Sequence, residues 1–78
     1  MSATTEQWKD NAALAIADAR RFALSGQVEL GWYVLRDLEA TERAGLSDVA
    51  WSGHKHGVAA NELTWLIGEL EKYLEVTP

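Results

Sequence analysis

Apolar residues recur along the chain at helical spacing, and no sustained period-two alternation is present. Trp8, Ala12, Ala15, Ala19 and Phe22 alternate steps of four and three, and Ile16 and Ala23 widen the same face. This pattern predicts a first helix from Thr4 or Thr5 to about Leu24. A threonine would cap it, Glu6 suits its positive first turn, and Gly26 is placed to end it in a left-handed conformation. The small alanines invite close approach by another helix, with Trp8 and Phe22 filling the ends. Leu14 and Leu24 lie off this stripe and predict a second neighbour.

A second helix is predicted from about Gln27 to Ala44, with Gly45 past its end. Val28, Trp32 and Leu35 lie on one side, and Leu30, Val34, Leu38 and Thr41 lie beside them, making a broad apolar face suited to two neighbours. Arg36, Asp37, Ala40 and Arg43 form the expected wet side. The third helix follows Ser47, which suits a cap, and runs to about Glu75, with a weak break at Gly53–Gly57. Val49, Gly53, His56, Ala60, Leu63, Ile67, Leu70 and Leu74 keep four–three spacing and form its expected core seam. The fold class is therefore all-α: one helical domain over residues 1–78, a small bundle of three main helices, or four if the glycine-rich break separates off the start of the third.

A second row on the third helix carries the functional expectation. Trp51, Lys55, Val58, Glu62, Trp65, Glu69 and Lys72 also keep four–three spacing, roughly 140° or more around the helix from the core seam. Trp8 and Trp32 fit core stripes. Trp51 and Trp65 either cover another helix of the bundle or belong to a contact surface, where tryptophan is enriched within a polar rim. On the second reading Trp51, Lys55, Val58, Glu62, Trp65 and Glu69 bind a partner.

Composition narrows the classes. The 78 residues carry a formal net charge of -5, and the seven Lys and Arg are scattered. Phosphate binding needs clustered positive charge, so no direct nucleic-acid binding is expected. No apolar run approaches the roughly 18 residues of a membrane span, and the first residues lack the features of a signal peptide, so a cytoplasmic location and no membrane partner are expected. The chain has no cysteine, which removes disulfides, thiolate zinc sites and a thiol nucleophile.

His54 and His56 raise a metal or small-molecule site, with Asp48 or Glu62 as a third ligand. On a helix, however, residues two apart point to well-separated sides, and two imidazoles alone make an incomplete site. Ser2, Ser25, Ser47 and Ser52 sit at or near predicted caps and turns, and Ser52 with either histidine lacks an evident orienting carboxylate. Neither an enzyme nor a cofactor is expected. The run Leu30-Gly31-Trp32-Tyr33 resembles part of a tetratricopeptide hairpin, but Arg43 stands where that family needs a small residue, and no second repeat follows. The reading is a small acidic protein-binding module, a regulator, adaptor or inhibitor of a larger protein acting through its third helix. The alternative is a structural homo-oligomer, and more remotely a binder at His54/His56.

Overall fold

A computed structural model describes residues 2–77, with side chains from residue 7 onward. The described residues are all-helical, with α1 (Ser2–Leu24), α2 (Val28–Arg36), α3 (Glu39–Arg43), α4 (Ser47–His56) and α5 (Ala60–Val76). α1 begins at Ser2, ahead of the expected start at Thr4 or Thr5, and the side chains of Thr4, Thr5 and Glu6 fall outside the described ones. Five helices therefore replace the expected three or four: the second splits at Asp37–Leu38 and the third at Gly57–Ala59.

Three of the four connections share one device. Gly26, Gly45 and Gly57 have φ of 81°, 73° and 61°. After each, the next amide turns back onto a carbonyl five residues earlier: Gln27 onto Phe22 at 2.8 Å, Leu46 onto Thr41 at 2.9 Å, and Val58 onto Gly53 at 3.0 Å. This is the Schellman arrangement, which satisfies carbonyls left open at a helix end and needs a residue without Cβ strain at the left-handed position. The fourth connection uses no glycine. Leu38 is extended, with φ -75° and ψ 133°, and its carbonyl accepts from the Thr41 and Glu42 amides to start α3.

That single extended residue resets the helical phase. Ala40, expected on the wet side, is fully buried, while Thr41 is buried as its place on the apolar face predicts. Upstream of that reset, on α2, Leu30 was expected on the apolar face and is exposed.

The core is one cluster: Trp8, Ala12, Ile16 and Ala19 of α1 meet Trp32 and Leu35 of α2, Ala40 of α3, Ala50 of α4, and Leu63, Leu66, Ile67 and Leu70 of α5. α1 packs on α2, α3 and α5, while α4 packs mainly on α2. Trp8 is held from two elements, with the Arg43 guanidinium 4.4 Å from its ring centre and the Tyr73 ring at 6.2 Å. Two glycines let helices touch. A Cβ on Gly31 would stand 2.5 Å from Leu63 Cδ2, and one on Gly53 would stand 2.5 Å from Trp32 Cζ3.

The expected seam holds on α5, where Leu63, Ile67 and Leu70 are buried, and Leu66 joins them from outside it. On α4 it fails at Val49 and His56, both exposed, because the break at Gly57 uncouples the two helices. Leu14 and Leu24 have no second neighbour and stand 69% and 84% exposed. Among the described residues no helix is long and apolar enough to cross a membrane.

Candidate protein-binding surface

The break after α4 divides the Trp51–Glu69 row into two surfaces. Val58 lies in the connection, half-buried against the core, and its carbonyl accepts the Trp32 Nε1–H at 2.8 Å. Trp51 and Lys55 are on α4, while Glu62, Trp65 and Glu69 are on α5. Four–three spacing cannot run through Gly57–Ala59, so Trp51 and Trp65 do not share one helical face.

On the α4 side, Trp51 packs on Arg36. The guanidinium carbon lies 4.1 Å from the Trp51 ring centre and 4.6 Å from that of Tyr33, so the cation sits between two aromatic rings. Its Nη1 donates to His54 Nδ1 at 3.2 Å, and its Nε donates to Asp37 at the same distance. The Tyr33 ring lies 5.9 Å from the His54 ring. Arg36 was expected on the wet side. Instead its side chain is only 20% exposed, because aromatic residues from α2 and α4 close over its stem. Trp51 remains 46% exposed.

A guanidinium bound to His54 Nδ1 fixes that nitrogen as an acceptor and directs a positive group at it. His56, on the opposite side of the helix end, is exposed. No three His, Cys, Asp or Glu side chains converge on a metal-sized position among the described residues.

On the α5 side, Trp65 is 52% exposed. The row members one turn before and one turn after it each border a surface groove. Glu62 lines a groove of about 300 Å³ with Val49, Ser52, Gly53, Val58 and Trp32. Glu69 and Lys72 line another of about 450 Å³ with Leu46, Tyr73 and Val76. Lys72 is paired with Glu69 at 3.0 Å. Trp65 lines neither groove but lies between their α5 borders along the helix, and the two linings carry the carboxylates of Asp48, Glu62, Glu69 and Glu75 and the ammonium of Lys72. Val49, Leu46 and Val76 belong to this surface and were not among the expected site residues. The signal of Leu46 and Val49 is tertiary, since the bend between α4 and α5 brings the start of α4 alongside α5, while Val76 lies on α5 itself.

The basic side chains are largely neutralised by neighbours. Arg20 pairs with Glu71 at 2.7 Å, Arg21 with Asp18, Arg36 with Asp37 at 3.2 Å and Arg43 with Glu39 at 2.9 Å. Lys9 Nζ donates to the Thr77 carbonyl at 2.6 Å.

No protein-family model matches this chain, and comparisons with curated proteins and with solved structures find no match to it.

Proposed function

We propose that the chain is a small acidic protein-binding module, acting as a regulator, adaptor or inhibitor of a larger protein through the α5 surface centred on Trp65. The observation that carries this reading is the half-exposed Trp65 between the α5 borders of two grooves, in a fold that buries Trp8 and Trp32 almost completely. A tryptophan side chain is worth about 150–250 Å² of burial, so covering the remaining half would contribute about 2–3 kcal/mol at 25 cal/mol per Å². Glu62, Glu69 and Lys72 supply the polar rim that keeps the free surface soluble and orients a partner. Lys55 and Trp51 form a separate patch on α4, where Arg36 already occupies part of the ring.

The module works by binding rather than by catalysis, needs no cofactor or metal, and operates in the cytoplasm. Neither nucleic acid nor a membrane is its target: a net charge of -5, with each arginine beside a carboxylate, leaves little positive charge to exchange for counterions.

Affinity capture from the cells that produce the protein tests this reading, with wild type and Trp65→Glu as paired baits. The expected result is a partner held by the wild type and lost by Trp65→Glu, while both baits give the same helical circular dichroism. Equal retention by the two baits would contradict it.

A further inference from the structure

The longest helix carries an unused face. Gln7, Asp10, Leu14, Ala17, Arg21 and Leu24 are all exposed, and they recur at steps of three and four along α1. On a helical wheel this row lies roughly opposite the buried row Trp8, Ala12, Ile16 and Ala19. Three of its six positions, Leu14, Ala17 and Leu24, are apolar, and the other three, Gln7, Asp10 and Arg21, are polar or charged.

The row is self-complementary when run against itself in the opposite direction. With a two-fold axis between residues 15 and 16, residue i of one copy faces residue 31 − i of the other. Asp10 then faces Arg21 of the second copy, and Arg21, which also pairs with Asp18 of its own helix, faces its Asp10, giving two opposite-charge layers. Between them Leu14 faces Ala17 of the second copy, twice over. At the ends Leu24 faces Gln7. A parallel pairing in the same register would instead set Asp10 on Asp10 and Arg21 on Arg21.

The surface beside the row fits the same register. Ala13, Ala17 and Leu24, with Leu74 of α5, border a groove of about 430 Å³ between α1 and α5. A large side chain at position 14 of a second copy is brought to Ala17, at the edge of this groove, in the manner of a knob entering a hole. Closed two-fold pairing needs one patch that matches itself, and this row meets that condition in both charge and size.

We infer that this face of α1 binds a second copy of the same chain, as an antiparallel helix pair centred on Leu14 and Ala17. The row spans about 26 Å at 1.5 Å per residue. A single helix pair of that length falls below the roughly 1,200 Å² of a standard interface, which places the dimer in the weak class, formed at high concentration. The face is distinct from the Trp65 surface, so the dimer leaves that surface open and would present two copies of it.

Sedimentation equilibrium from micromolar to millimolar protein tests the inference. The wild-type mass should rise from 8.6 kDa toward twice that value. Leu14→Glu should stay monomeric at every concentration with an unchanged helical spectrum and melting curve, since Leu14 makes no core contact. Asp10→Arg and Arg21→Asp should each abolish association by opposing like charges twice, and the double variant Asp10→Arg/Arg21→Asp should restore it. Trp65→Glu should associate like the wild type. A wild type that stays at monomer mass overturns the inference, including one that captures a different protein through Leu14. Association that survives Leu14→Glu, or that is lost in Trp65→Glu instead, overturns it too. Indifference to the single charge reversals overturns the antiparallel register.

Discussion

The indole of Trp32 occupies the space where a side chain at Gly53 would begin, and its Nε1–H binds the carbonyl of Val58 at 2.8 Å. One side chain of α2 thereby fixes how closely α4 approaches and where the connection to α5 runs. Without that hydrogen bond, the bend that separates the Trp51 and Trp65 surfaces would lose its one side-chain tether to α2 among the described residues. The bond is partly buried, where the indole donor needs a partner.

Two glycine substitutions of the same kind are expected to move stability in opposite directions. Both Gly53 and Gly68 lie inside helices, where alanine is intrinsically better by about 0.8–1.0 kcal/mol. At Gly68 an added Cβ meets nothing within 4 Å, so Gly68→Ala should stabilise by about that amount. At Gly53 the Cβ would collide with the Trp32 ring, so Gly53→Ala should destabilise by about 1–3 kcal/mol despite its better propensity. Urea unfolding of the two variants measures the contrast, and stabilisation by both would mean that Trp32 does not pack on α4.

Thr41 Oγ1 is fully buried without a hydrogen-bond partner. A buried hydroxyl left unpaired loses its hydration with nothing gained in return. Replacing it with a methyl group of the same shape removes that cost, so Thr41→Val should stabilise by about 1 kcal/mol. A destabilisation on thermal unfolding would show that the hydroxyl is bonded in solution.

Leu63 and Trp65 are two residues apart, yet the fold should depend on them to different degrees. Leu63 is fully buried against Gly31, and Leu63→Ala should cost about 2–5 kcal/mol, a large share of the stability of so small a chain. Trp65→Glu, on the outer side of the same helix, loses only the covered half of its ring from the fold and should cost about 1–2 kcal/mol, with the helical fold kept. If Trp65→Glu unfolds the protein, Trp65 belongs to the core.

Much of the helical fold was legible along the chain. α1 could be read because its alanine-rich stripe and Gly26 agree, and the buried half of α5 because Leu63, Ile67 and Leu70 repeat at helical spacing. The split at Asp37–Leu38 was not legible, since neither glycine nor proline marks it. It became visible only in the buried Ala40 and in the turn that Leu38 makes toward the core. Gly57 reads in the sequence as only a weak break, and a helix continued through it places Trp51 and Trp65 on one row, which the left-handed Gly57 interrupts. Arg36 was assigned to solvent because its burial depends on Tyr33 and Trp51, which come from different helices. Leu46 and Val49 line the grooves beside Glu69 and Glu62, a neighbourhood that only the bend between α4 and α5 creates, whereas Val76 lies further along α5 itself.

Hydrogen exchange at the four tryptophan indole Nε1–H groups, followed by nuclear magnetic resonance in the free protein and with the captured partner, tests the central claim most directly. In the free protein the Trp32 signal should exchange slowly because it is bonded to Val58, and the Trp65 signal should exchange fast. On binding, the Trp65 signal should shift and become protected, while Trp8 and Trp32 keep their positions. A Trp65 signal already protected in the free chain, or one unmoved by a bound partner, would contradict the claim that this residue is the centre of a protein-binding surface.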